Sequence, residues 1–514
     1  MMTQNGPKLL IALWIPLMVL LALLYTTVPP SPDQSQFDWM AYIAIQGRPF
    51  YEGSFDMNWP GAMWLHEAGL RLFGVHAWTW RLTDFLLMLG FSAGGAVFLQ
   101  RANWPLASLI FLFLYPAVYI TSGSWMAGQR DIIATGFLIC ACALAMPGAP
   151  REARNVVLAG VCVACAVLIR PTFLSFLAGL AFLECLPLRH VRPRTCTRPA
   201  RVARFLSGFI LVMALVVCVG LLLGNLDDWY RQSIQFSTSV YIGESPQDWR
   251  ITLRTLFLAS WHWITLLALF GLLVWVLRDG LSYPLVLVVG TAATIALSFA
   301  VQNKGFGYHL GGILLLLALL LTVGIEQLNQ WRRSVRKSVL RWGVTIALSG
   351  AVLLVLAGTA AKLENLKDGA ARLLAGEFGP GDLYGLTEAE RREIIRLIED
   401  GSTPDESVAV YGTLYDLPYR AKRLPTYRFF TPTADQITQQ FIHYDAWMSE
   451  IDQALERTPP AFVIMDRSAL SGSPSQLAPV SANRSILTRL LQTLSEGYQI
   501  VFANEDVVVF QASR

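Results

Sequence analysis

Charge is what this chain has least of. Only 15% of its 514 residues are Asp, Glu, Lys or Arg while 54% are hydrophobic, a balance that a water-soluble fold of this length does not carry. Nor does either sign prevail. The 40 basic and 36 acidic residues leave a net charge of +4, and the basic ones bunch in a few short connectors. That pattern speaks for membrane orientation and against nucleic acid as a partner. Cysteine is absent beyond Cys218. The seven cysteines, Cys140, Cys142, Cys162, Cys165, Cys185, Cys196 and Cys218, lie in apolar runs or in an arginine-rich connector. The Cys162 to Cys165 spacing has no further ligands around it, so it reads as helix packing and not as a metal or redox pair. A Gly-rich nucleotide loop is also missing: the segment directly after the first strand-like run of the tail holds a single glycine, Gly412. Internal repeats and low-complexity linkers are absent too.

What is present is a series of apolar runs, near residues 9–28, 82–100, 104–121, 132–147, 155–170, 172–188, 205–224, 256–277, 281–300, 310–327 and 342–360. Each is long enough, or nearly so, to cross a hydrocarbon core of ~30 Å. The sequence therefore predicts an α-helical polytopic membrane protein of about eleven spans. The first run ends in Val28-Pro29-Pro30 without a small-residue cleavage site and reads as a retained span. The two runs flanking Arg170-Pro171 read as a hairpin with its tip at Arg170.

Orientation follows from the basic connectors, which the cytoplasmic side retains. Counted from a cytoplasmic N-terminus, Arg151 and Arg154, then Arg189, Arg192, Arg194, Arg198, Arg201 and Arg204, then Arg332, Arg333, Arg336, Lys337 and Arg341 all fall inside. An odd number of spans leaves the tail on the outer side. Residues 1–361 are thus expected as the membrane domain, including a first outer loop at 29–80, and 362–514 as an extracytoplasmic α/β domain. In that domain Thr387-Glu388-Ala389-Glu390 is a capping box opening a helix that ends near Gly401. Strand-like runs follow at Ser407 to Tyr411, Ala461 to Met465, Tyr498 to Phe502 and Val507 to Phe510, with helical segments near 434–456 and 485–496.

Ionisable residues gather in the outer loops. The first loop carries Asp38, Asp56 and Asn58 among aromatics, of which Trp39, Trp59, Trp64, Trp78 and Trp80 suit the headgroup region, and residues 62–73 could lie along the membrane surface as a helix. A second loop ends in Arg130-Asp131, and a third runs from Gln302 to His309 through Lys304 and Tyr308. Under the topology above all emerge on one side, carboxylates supplying a base and Lys, Arg and His supplying positive charge for a phosphate. Plainer readings stand beside these. Asp38 could cap a helix, Arg130-Asp131 could be an interfacial pair, and Lys304 and His309 could snorkel to headgroups. Asp84 reads as a helix-end partner of Arg81, His66 and Glu67 as interface-facing residues without a third metal ligand, and the arginines of 189–204 as a topology anchor.

The ordered set Asp38, Tyr42, Ala44, Gly47, Pro49, Tyr51, Pro60, Leu72-Phe73-Gly74, Arg81-Leu82, Arg130-Asp131 and Lys304 to His309 resembles the GT-C superfamily of membrane glycosyltransferases. The likeness is to the branch of protein O-mannosyltransferases and the lipid A aminoarabinose transferase. The resemblance implies an inverting transfer of a sugar from a polyprenyl-phosphate donor to an acceptor hydroxyl on a glycan, lipid or protein, at the outer face of a bacterial inner membrane. It implies Asp38 as base, with Asp131 and Asp56 as further carboxylates. Lys304, Arg130 and His309 would meet the donor phosphate, and Tyr42, Tyr51, Asn58 and Tyr308 the substrate. Two departures stand out. Trp39 follows Asp38 where relatives often carry an acid, which weakens the case for a metal there, and no cofactor is expected. Asp56-Met57-Asn58-Trp59 replaces a lysine and two prolines, making Asp56 a rival to Asp38. A transporter or flippase, or a polysaccharide polymerase or ligase, are the competing functions. The scarcity of mid-span charge disfavours a transporter.

Overall fold

The computed structural model describes residues 6–148, 151–185, 197–242, 248–250, 254–255, 262–334, 338–363, 366–375, 381, 385–467, 470–471, 478–479, 485–495 and 497–513. Cys196, Arg189, Arg192, Arg194, Arg336, Lys337 and the ends of two expected spans, 186–188 and 256–261, lie outside them. The described chain forms two compact units. One comprises residues 1–27, 84–216 and 247–377, and the other residues 28–83, 217–246 and 378–514.

The first unit is helical. Its helices are Gly6–Thr26, Thr79–Arg101, Pro105–Ile120, Arg130–Ala145, Glu152–Ile169, Leu174–Cys185, Arg198–Leu223, His262–Asp279, Tyr283–Gln302, Gly311–Ser334 and Ser338–Leu363, one for each apolar run. Among the described residues six helices are long and apolar enough to cross a membrane, and three further apolar helices are shorter. Burial separates their roles: the window in Gly307–Ser334 is 83% buried, whereas that in Arg198–Leu223 is 6% buried, its leucines and valines left for lipid. Close helix contact rests on glycine. A Cβ on Gly160 would lie 2.0 Å from the carbonyl oxygen of Phe205, so Glu152–Ile169 and Arg198–Leu223 meet backbone to backbone.

Polar side chains inside this unit collect at its two ends. At one end Arg201 is buried between the carboxylates of Glu152 and Glu184, and its Nη2 donates to the carbonyl of Ala145 at 2.5 Å. The Tyr283 hydroxyl donates to Glu184 at 2.8 Å. Arg201, read above only as part of a topology anchor, is thus also a structural knot joining five helix ends. At the opposite ends of these helices lie Asp131, Arg170 and Ser298. Helix Arg130–Ala145 therefore runs antiparallel to Glu152–Ile169 and Tyr283–Gln302. Asp84, wholly buried, accepts hydroxyl protons from Tyr25 at 2.5 Å and Tyr119 at 2.6 Å.

The second unit is α/β. Strands β1 (Val408–Tyr411), β2 (Phe462–Asp466), β3 (Tyr498–Ala503) and β4 (Val507–Ala512) form a sheet ordered β1-β2-β4-β3. The first pair is parallel, Val408 opposite Phe462, and the remaining pairs are antiparallel. Helix Glu388–Gly401 opens with the expected capping box, Thr387 accepting from the Glu390 N–H and Glu390 from the Thr387 N–H. Helices Tyr444–Arg457 and Ser485–Leu494 complete the predicted pattern, the first starting later than expected because Pro432–Gln436 forms a separate 3-10 turn.

The tail does not close its core alone. Helices Pro32–Ile45 and Gly61–Phe73 of the first loop, and the π-helical segment Tyr230–Tyr241, share one hydrophobic core with the sheet. Trp39 is fully buried, with its ring 4.3 Å from that of Phe430, and its indole N–H donates to the carbonyl of Arg423 at 2.9 Å. Phe55 packs on Phe236, Phe429 and Trp447 at 5.2, 5.4 and 5.3 Å. The expected division at residue 361, with 29–80 assigned to the membrane part, therefore cuts through a common core. Trp39 and Trp80, assigned above to the headgroups, are interior residues at 0% and 2% exposure.

Candidate active site

Asp38 lies in the second turn of helix Pro32–Ile45. The cap of that helix is Ser31, whose side chain accepts from the Gln34 N–H while the Gln34 side chain accepts from the Ser31 N–H. Capping is thus already done seven residues earlier, and the capping alternative for Asp38 falls away. The carboxylate is 3% exposed, and its Oδ1 is 2.7 Å from Nδ1 of His66. The His66 ring in turn stacks on Trp80, with centroids 3.4 Å apart and planes at 12°, and Phe37 packs at 5.5 Å. Burial pushes the Asp38 carboxyl above the usual carboxylate range, while the charges of His66 and Arg81 pull it back.

His66 was expected at the interface. It is 2% exposed instead, and the signal for this was in the sequence: Ala62, Met63, His66, Gly69 and Leu70 form one helical stripe, the buried face of Gly61–Phe73. Glu67, on the other face, pairs with Arg71 at 2.7 Å.

A cleft enclosing about 360 Å³, its open mouth included, reaches Asp38 within the same unit. Its walls include Pro29 and Ser35 from the first loop and Arg391, Asp416, Tyr419 and Arg420 from the C-terminal part. These polar groups are held in place. Arg391 pairs with Asp416, Arg420 donates twice to Glu388 at 3.0 and 2.7 Å, and the Tyr419 hydroxyl donates to the carbonyl of His76 at 3.0 Å. Sequence reasoning missed all four, since nothing local in the tail marks them as neighbours of residue 38.

The other first-loop candidates shape the loop. Asp56 accepts from the Gln36 side chain at 2.7 Å and from both the backbone and side-chain amides of Asn58 at 2.5 Å. The Tyr51 hydroxyl donates to the carbonyl of Asn58 at 2.7 Å, and Tyr51 itself sits at a φ of 73°. The Tyr42 hydroxyl donates to the carbonyl of Lys422 at 3.0 Å. Asp56 is therefore a hub of turn contacts, whereas the carboxylate of Asp38 faces a cleft.

In the helical unit a second polar group forms where helix Arg130–Ala145 begins. Arg170 Nε donates to Asp131 Oδ1 at 2.8 Å and Nη2 to Oδ2 at 2.5 Å. Arg170, expected only as a hairpin tip, is 8% exposed and caps the end of Glu152–Ile169 before the 3-10 turn Pro171–Phe173. Thr172 and Ser298 hydroxyls meet at 2.6 Å beside it. Asn303 takes a left-handed conformation at φ 44° and ends Tyr283–Gln302, leading into Lys304 and the 3-10 turn Gly307–Leu310. That turn packs against the Arg130 helix and brings His309 among Asp131, Arg170 and Arg130. Lys304, His309 and Arg130 are 7%, 4% and 9% exposed, so all three side chains are covered by protein. Tyr308 stacks on Trp125 with centroids 5.8 Å apart. Among the described residues no group of three or more His, Cys, Asp or Glu side chains is arranged to hold a metal ion.

No family model matches the chain, and no curated protein matches it in sequence. Solved structures do. ArnT from Cupriavidus metallidurans, determined bound to undecaprenyl phosphate, matches with a TM-score of 0.62 at 14% identity over 99% of this chain and 98% of that one. The archaeal oligosaccharyltransferase AglB from Archaeoglobus fulgidus, in complex with an inhibitory peptide and a dolichol-phosphate, matches with a TM-score of 0.52 at 12% identity. It covers 90% of this chain and 70% of its own. Both are GT-C proteins, so the likeness read from the sequence holds at the level of the fold.

Proposed function

We propose that this protein transfers a sugar from a polyprenyl-phosphate donor to an acceptor hydroxyl, with inversion, at the outer face of a bacterial cell membrane. The observation that carries the proposal is Asp38: a buried carboxylate, fixed by a histidine, at a cleft in a fold shared with ArnT bound to undecaprenyl phosphate. Burial raises the affinity of such a carboxylate for a proton, which is what a base for a hydroxyl requires. The acceptor O–H would lose its proton to Asp38 as its oxygen bonds to the anomeric carbon. The bond from that carbon to the lipid phosphate would break, its electron pair leaving on the phosphate.

The phosphate role is assigned to Lys304, with Arg130 as a second cation and His309 in support as a neutral hydrogen-bond donor, since burial disfavours a charged imidazole. Fixed cations stabilise the leaving group where its charge develops, and the low exposure of Lys304 and Arg130 strengthens their field. Asp131, gripped by Arg170, orders that end of the helical unit. Tyr42, Tyr51 and Asn58 would serve substrate indirectly by setting the loop that carries Asp38, and Tyr308 by flanking His309. The outward placement of the C-terminal part rests on the basic connectors Arg151 to Arg154 and Arg332 to Arg341.

The test is transfer in vesicles holding the purified protein, a polyprenyl-phosphate sugar pool with a radiolabel, and extracted envelope glycans and lipids as acceptors. Asp38→Asn should abolish incorporation while leaving the protein folded. Turnover near that of the unaltered protein would end the assignment of the base.

A further inference from the structure

We propose that His66 positions the Asp38 carboxylate and keeps it in its charged, proton-accepting form. The inference rests on the base role given to Asp38 above, and it stands on three observations. Nδ1 of His66 is 2.7 Å from Oδ1 of Asp38, and among the described residues His66 is the one hydrogen-bonding partner of that carboxylate. The imidazole is locked between Trp80, stacked at 3.4 Å, and Phe37 at 5.5 Å, so it cannot swing off its partner. Both side chains are buried, at 3% and 2% exposure, where an unpaired carboxylate would take up a proton instead of staying ionised.

The other groups facing Asp38 are already committed. Arg81, at the start of Thr79–Arg101, donates to the carbonyls of Val28 and Pro29 at 3.0 and 2.5 Å and acts on Asp38 at longer range. From the C-terminal part, Arg391 pairs with Asp416 and Arg420 with Glu388, while the Tyr419 hydroxyl is bonded to His76. His66 therefore bears most directly on the carboxylate. With Oδ1 held by the imidazole, Oδ2 is the oxygen left to receive the acceptor proton, and the histidine touches neither sugar nor phosphate.

Dicyclohexylcarbodiimide, which couples to protonated carboxyls in apolar surroundings, reads the pair without any transfer reaction. Labelling of Asp38 in the purified full-length protein, located by mass spectrometry from pH 5 to 9, should fall as the carboxyl ionises. His66→Phe should move the midpoint of that fall upward by about one pH unit or more, because a bonded positive partner is lost. His66→Gln, which keeps a donor but no charge, should give a midpoint between the two. An unchanged midpoint in His66→Phe overturns the proposal. Should His66→Phe lose its circular dichroism, the comparison of His66→Gln with the unaltered protein decides by the same criterion. Where transfer is measurable, the acid limb of its pH profile should move up in parallel, with acceptor KM unaltered. If Asp38→Asn retains transfer while the labelling shift is present, the base assignment fails and the pairing stands.

Discussion

Arg170 holds Asp131 through two parallel hydrogen bonds, 2.8 and 2.5 Å, with side chains 9% and 1% exposed. Two charges removed from solvent in this way depend on each other. Losing one leaves the other buried without its counter-charge, at about 3–5 kcal/mol. Arg170→Met should therefore lower the thermal unfolding midpoint of the detergent-solubilised protein. The double variant Arg170→Met with Asp131→Leu should recover much of that loss, since an apolar pair of similar volume avoids the stranded charge. Additive losses in the double variant would show that the two residues act separately.

Trp39 tests the shared core of the second unit. Its indole fills a wholly buried position against Phe430 and Tyr415 and donates to the backbone of Arg423. Trp39→Ala removes that volume and leaves a cavity, costing about 3–5 kcal/mol. Because the first loop and the sheet close one core, limited proteolysis should cut both the 29–80 loop and the 378–514 segment faster in this variant. Faster cleavage of the loop alone would mean that the sheet stands without it.

Helix positions were legible because hydropathy reports them directly: eleven apolar runs gave eleven helices, and the tail strands lie where β-branched residues alternate with turns. The capping box at Thr387 was readable for a similar local reason. What stayed hidden depends on tertiary partners. Trp39 looked like a headgroup residue because composition cannot tell an interfacial tryptophan from one covered by Phe430, far along the chain. His66 was passed over as a metal ligand lacking companions, although its helical stripe already marked it as buried. Arg170 looked like a hairpin tip and Arg201 like part of a topology anchor, and their carboxylate partners, Asp131, Glu152 and Glu184, are distant in sequence.

Asp466 makes the second unit sensitive to pH. Burial raises its carboxyl from 3.8 to about 6, Asp506 adds to this, and two hydrogen bonds from Thr413, at 2.9 and 3.0 Å, oppose it. A raised carboxyl means that the folded state binds the proton more tightly than the unfolded state. Its contribution to stability is therefore greatest in acid and declines as pH rises from about 4 through about 6. Asp466→Asn should remove that decline, making the unfolding midpoint of the full chain flatter over this range. Equal slopes for the two proteins would show that the carboxyl is not titrating differently on folding. Gly412 sets the geometry here at φ 129°, and a Cβ there would lie 2.2 Å from the Asp466 carboxyl carbon. Gly412→Ala should accordingly be strained as well as crowded.

Lys304 gives the sharpest kinetic prediction. It follows the left-handed Asn303, is 7% exposed, and begins the connection to His309. A lysine engaging the donor phosphate contributes in the bound donor and more strongly in the transition state, as charge leaves with the phosphate. Removing a hydrogen bond to a charged group costs about 1.5–3 kcal/mol, so Lys304→Ala should lower kcat/KM for the polyprenyl-phosphate sugar by about ten- to a hundredfold. The KM of the acceptor should stay near its original value, because no proton or bond on that side depends on the ammonium. Lys304→Arg should restore part of the charge but not the placement, since the planar guanidinium presents its donors differently. Equal losses for donor and acceptor would reduce Lys304 to a structural residue of its loop, and an unaltered donor KM together with an unaltered kcat would remove it from the reaction.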